Sequence, residues 1–165
     1  VGAFQFAAEV RRRWPRWHRI AGRVVLVAGS VVALSGMWMT AFYPFPPALQ
    51  GTLLFTVRMI VGAGMIAALA LAVATIRRGD VTSHRAWMMR AYALGLGAGT
   101  QVVVMLPWTL TFGIPTHLPY ELLMTLAWLI NVGVAELIIR NKVRTVGTEA
   151  SAAAQSAPGA AIAAG

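Results

Sequence analysis

Cysteine is absent from the 165-residue chain, which excludes disulfides, thiol catalysis and cysteine-ligated metal or iron–sulfur sites. Charge is scarce too. Asp, Glu, Lys and Arg make up 12% of the residues, against about 25% in an ordinary soluble domain, and a water-soluble domain of this size needs more polar surface than that. Nor is there a Ser/His/Asp set, a metal-ligand motif or a nucleotide loop. The one glycine-rich run, GLGAG at 95–99, follows no strand and lies within an apolar stretch, so it is not a phosphate loop. Soluble-type catalysis has no visible seat here, and the sequence points away from an enzyme.

What the chain does have is apolar length. It is 58% hydrophobic, and four stretches reach the roughly 20 residues needed to cross a hydrocarbon core. They fall at about 24–42, 52–76, 91–112 and 122–139. The connections are short. Those at 43–51 (YPFPPALQG) and 113–121 (GIPTHLPYE) are rich in proline and read as turns, and the one at 77–90 is polar and basic. Short connections make sequential helices antiparallel neighbours. The expected fold is all-α, a four-helix up-down bundle in a membrane, in one domain. A basic segment at 1–23 precedes it, and an Ala/Gly/Ser tail at 146–165 reads as flexible.

The net charge is +9. On a soluble protein this would suggest nucleic acid; here it sets topology instead. Arg11, Arg12, Arg13, Arg16, Arg19 and Arg23 precede the first span, Arg77, Arg78, Arg85 and Arg90 follow the second, and Arg140, Lys142 and Arg144 follow the fourth. The two proline-rich loops carry no Lys or Arg. The positive-inside rule then places both termini in the cytoplasm, with anionic inner-leaflet lipids as partners. The aromatics agree with two interfacial belts. Trp14, Trp17, Trp87 and Tyr92 fall near the inner face, and Trp38, Phe42, Tyr43, Trp108, Phe112 and Tyr120 near the outer one. The opening VGAFQFAAEV precedes its arginines, the wrong order for a secretory signal peptide. Gly95 and Gly99 form a GxxxG, and Ala63, Ala67, Ala70 and Ala74 recur on one face, both suited to close helix packing.

A few polar residues stand out. His18 and His84 lie at the inner ends of spans that run the same way. Two neutral imidazoles so placed can clamp a haem b iron; the plainer reading is interfacial hydrogen bonding beside arginine. His117 lies on the opposite face. Arg58 sits about 9 Å along its helix from the outer end, with Glu121 as the expected partner; the alternatives are snorkelling or an anion or proton site. Glu136 reads as an i,i+4 pair with Arg140, or as a proton-relay carboxylate. Ser30, Ser35, Thr100, Gln101 and Asn131 suit interhelical hydrogen bonds. A weak internal repeat joins His18-Arg19 with His84-Arg85, as in a duplicated two-helix hairpin.

WHRIAGR at 17–23, ALSGMWM at 33–39, IRRGD at 76–80, HRAWMMRAYAL at 84–94 and GAGTQ at 97–101 together resemble a bacterial family of predicted multi-pass membrane proteins of unknown function. The resemblance spans about residues 2–140. It implies a helical membrane fold with no established activity, and it marks His18, Arg19, Arg23, His84, Arg85, Trp87 and Arg90 as the positions to inspect. Members often carry further hydrophobic sequence before the GAFQF segment. Three functions fit: a non-catalytic subunit or scaffold packing against other membrane subunits of a respiratory or photosynthetic (electron-transport) complex, a b-type cytochrome using His18 and His84, and a small transporter built around Arg58 and Glu136. The sequence favours the first.

Overall fold

A computed structural model describes residues 13–156. The opening segment and the last part of the Ala/Gly/Ser tail lie outside the described residues. Four helices follow one another: α1 (Pro15–Phe42), α2 (Thr52–Arg77), α3 (Val81–Phe112) and α4 (His117–Ser156). All four are long and apolar enough to cross a membrane. Even the 26 residues of α2 extend about 39 Å at about 1.5 Å per residue, beyond the roughly 30 Å of a hydrocarbon core.

The helices are longer than the apolar runs. α1 begins at Pro15, so Arg16, Arg19 and Arg23 ride on it rather than preceding it. Pro15 occupies the first turn, where its missing N–H is not needed. α3 begins at Val81, ahead of its apolar run, and absorbs Arg85 and Arg90. Asp80 caps it, accepting the Ser83 N–H at 2.9 Å. Hydrogen bonding from the Ser83 side chain, then from its backbone, holds the Asp80 carboxyl below its ordinary range. Gly79 adopts φ +79° in this tight turn, a conformation that favours glycine. α4 continues to Ser156, through the first part of the segment expected to be flexible. Hydropathy marks the lipid-crossing stretch, whereas Arg, Lys and Ala sustain a helix beyond it.

Each helix packs mainly on its neighbours in sequence: α1 on α2, α2 on α3, α3 on α4. α2 and α4 touch over a shorter stretch, and α1 makes its substantial contact with α2 alone. The pairings are antiparallel. Met37 of α1 meets Gly62 of α2 while Gly29 meets Leu69, and Gly97 of α3 meets Trp128 of α4 while Arg90 meets Glu136. The result is an up-down bundle with α1 at its edge.

Its core is built from small side chains. Ala68, Leu69 and Ala91 are buried together, with Leu26, Met65, Trp87 and Met88 packed against them. The expected alanine face is not the one that packs: Ala63, Ala67 and Ala70 are exposed, and Gly62, Ala68 and Ala72 are buried instead. The close approach of α3 to α4 likewise falls on Gly97. A Cβ there would lie 2.0 Å from Trp128 Nε1, whereas one on Gly99 would meet nothing and one on Gly95 only Met65 at 3.7 Å. On the outside the bundle is greasy, with Val102 67%, Val103 69% and Leu110 78% exposed. Backbone groups satisfied within helices beneath such a surface suit a bilayer and not water.

Candidate functional site

The polar side chains gather at the two ends of the bundle. At the end that carries the proline-rich loops, Gly51 precedes α2 in the N-cap position and has no side chain to cap the helix. Glu121 of α4 does so from across the bundle. Its carboxylate accepts the Leu54 N–H at 2.9 Å, and it is 8% exposed. An anion at a helix N-terminus meets both free N–H groups and the positive end of the dipole. Gly51 is needed for this arrangement, because a Cβ there would lie 1.9 Å from Glu121 Oε1.

Arg58 therefore does not pair with Glu121 as the sequence suggested. It donates to Gln50 Oε1 at 2.8 Å and stands 5.1 Å from the centre of the Phe45 ring, a cation–π contact. Gln50 in turn donates to the Thr40 carbonyl of α1 at 3.2 Å. The loop thus folds back over the charge and ties α1 to α2. His117 stands at this end with φ +54°, and its N–H bonds the Ala48 carbonyl at 2.7 Å. The ring pairs Trp38–Phe42 and Trp108–Phe112, exposed except for the half-buried Trp108, surround the same end, as an interfacial belt would.

The opposite, basic end holds the more chemically suggestive groups. Arg90 of α3 and Glu136 of α4 form a two-point ion pair. Nε donates to Oε1 at 2.5 Å and an Nη to Oε2 at 3.1 Å, with both side chains 30% exposed. This corrects the expected pairing of Glu136 with Arg140 on its own helix. The two donors of the Arg90 guanidinium fork meet both oxygens of the carboxylate, a bidentate match that a lysine does not make. Arg90 also stacks over Trp87, 4.6 Å from the ring centre. Beside this trio lies a pocket of about 170 Å³ lined by Gly64, Ala68, Leu94, Val132 and Ala135 in addition to the three residues.

His84 donates Nδ1–H to the Ala72 carbonyl of α2 at 2.8 Å, since a carbonyl has no proton to give. His18 of α1 is half-buried. The structure brings Trp87, Arg90 and Glu136 together. It leaves Arg19, Arg23 and Arg85 on the exposed surface nearby. Of the neutral polar residues, Thr100 and Asn131 bridge α3 and α4 at 3.0 Å, leaving the buried Asn131 Nδ2 without a partner. Ser30 and Ser35 turn back on carbonyls of their own helix.

Gln50, Phe45 and the Ala72 carbonyl were not singled out from the sequence. Gln50 had a signal, being the one long neutral hydrogen-bonding side chain beside an otherwise lone intramembrane arginine. The Ala72 carbonyl had none, because every residue supplies one.

Four apolar helices, an aromatic belt and interhelical pairing of the few charges define an integral membrane protein of the helical-bundle class. The chain belongs to the family described as "Predicted membrane protein (DUF2306)", whose model matches residues 1–139. No curated protein and no solved structure matches it.

Proposed function

We propose that this protein is a non-catalytic subunit of a larger complex in a bacterial cytoplasmic membrane, of the respiratory or photosynthetic kind. The observation that carries the reading is the position of α1. It packs substantially on α2 alone, and Val27, Val31 and Leu34 remain 58–63% exposed along it. In lipid such a face is tolerated, and it is also the face a neighbouring transmembrane helix covers by close packing. On the basic side, the exposed arginines offer a docking surface to anionic lipid or to an acidic partner segment.

The transporter reading has less support. It needs one cavity that reaches both Arg58 and Glu136. The pocket beside Glu136 does not include Arg58 among its walls, and Arg58 is already engaged by Gln50 and Phe45.

The absence of cysteine makes the test direct. Val27→Cys or Val31→Cys, treated with a photoactivatable thiol reagent in native membranes, should yield one discrete crosslinked product containing a second membrane protein. The same substitution at Leu137 of α4, 62% exposed, should not give that product. A strictly monomeric particle with no crosslink from α1 sinks the proposal.

A further inference from the structure

We propose that the cleft beside Arg90 and Glu136 binds the head of a lipid-soluble benzoquinone, a single neutral ring that carries carbonyl groups and an apolar tail. The cleft lies within one chain, so the inference does not rest on the subunit reading above.

The helices give the cleft a polar end and an apolar end. Arg90 and Leu94 of α3, Glu136 and Val132 of α4, and Ala68 and Gly64 of α2 all line it. Each pair stands one helical turn apart, about 6 Å along the axis. Because neighbouring helices are antiparallel, Arg90, Glu136 and Ala68 share the basic end. Leu94, Val132 and Gly64 share the end toward the middle of the bundle. All of these residues fall within the membrane-crossing helices, so a ligand reaches them through lipid.

Size selects one ring. The cleft holds about 170 Å³, and an apolar cavity of about 150 Å³ takes up a benzene molecule. Gly64 makes the room, because a Cβ there would meet only Leu94 Cδ1, at 3.7 Å.

Charge selects a neutral guest. Arg90 and Glu136 already balance each other. A lipid phosphate would meet the carboxylate along with the guanidinium, and its own charge would go uncompensated beside apolar walls.

Hydrogen bonding selects an acceptor. Nε–H and one Nη–H of Arg90 meet Glu136, and the guanidinium carries further N–H donors beside them. A quinone carbonyl accepts from these without bringing charge, whereas an acyl chain brings no acceptor at all. Both members of the ion pair are 30% exposed, so the polar end is open to a ligand. Trp87, with the guanidinium stacked 4.6 Å from its ring centre, supplies π surface suited to an electron-poor ring.

The test uses the full chain in lipid nanodiscs, titrated with a decyl-substituted benzoquinone. Quinone dissolved in the lipid quenches tryptophan fluorescence without saturating. The wild type should add a saturable component at about one quinone per chain, and Trp87→Phe should remove most of it. Gly64→Leu fills the cleft and should weaken saturable binding by about tenfold or more, the equivalent of about 1.4 kcal/mol. Gly99→Leu, where a Cβ meets open space, should leave it unchanged. If Gly64→Leu fails to fold by circular dichroism, Val132→Phe fills the same cleft from α4 and should have the same effect. No saturable component in the wild type overturns the site, as does binding that survives the filling substitution. A phospholipid that native mass spectrometry finds on the wild type, that quinone does not displace and that the filling substitution removes would give the cleft to an acyl chain and end the proposal.

Discussion

Arg90 and Glu136 show how much a single pair of charges is asked to do in this bundle. Each stands on a different helix at the edge of the lipid-crossing region, and each is 30% exposed. Removing one partner leaves the other charge facing an apolar groove, which costs more than the pair itself contributes. Arg90→Leu and Glu136→Leu should therefore each lower stability by about 1–3 kcal/mol, and the double variant should recover most of the loss. Thermal unfolding in detergent, followed by tryptophan fluorescence as a double-mutant cycle, measures this directly. Strictly additive losses would mean that the two side chains do not act as a pair. Glu121 plays a different part at the other end. It is bound by a backbone N–H rather than by a cation, and that is why Arg58 is free to take Gln50.

At the scale of the helices, the sequence and the structure agree on number and order but not on ends or faces. Four runs of about 20 apolar residues leave little freedom, because an uncoiled backbone cannot satisfy its amides in lipid. The ends were hidden because the arginine-bearing flanks, such as Arg85–Arg90, are polar yet helix-competent. The packing faces were hidden for a related reason. A span that is apolar all round has no amphipathic period to say which side faces protein, so Ala63, Ala67 and Ala70 looked as suitable as Ala68 and Ala72. The candidate site was legible in its residue types and not in its pairings. Glu136 was visible as an intramembrane charge, but Arg90 reaches it only through a contact 46 residues away. Gly97 and Gly99 turn the packing difference into a prediction. Gly97→Ala must displace the Trp128 indole and should destabilise by about 1–3 kcal/mol. Gly99→Ala meets open space and should be neutral or stabilise by up to about 1 kcal/mol through helix propensity. Equal effects at the two positions in a thermal melt would move the α3–α4 contact away from Gly97.

For the whole molecule, the open question is which way the bundle faces. Its two ends are electrostatically unlike. Arg16, Arg19, Arg23, Arg77, Arg78, Arg85 and Arg140 all lie toward one end, and the proline-rich loops at the other carry no Lys or Arg. Insertion retains Lys- and Arg-rich flanks on the cytoplasmic side, so the proline loops should face outward. A chain without cysteine can report this with single substitutions. Ile114→Cys, in the short α3–α4 loop where Ile114 is 79% exposed, should react with a membrane-impermeant maleimide in intact cells whose outer surface is accessible. Thr82→Cys, at the exposed start of α3, should react only after the membrane is permeabilised. The reverse pattern would place the histidines and the Arg90–Glu136 pair on the outer surface. An arginine surface there could no longer be meeting the anionic cytoplasmic leaflet, so the reason for the charge asymmetry would have to lie in a binding partner instead.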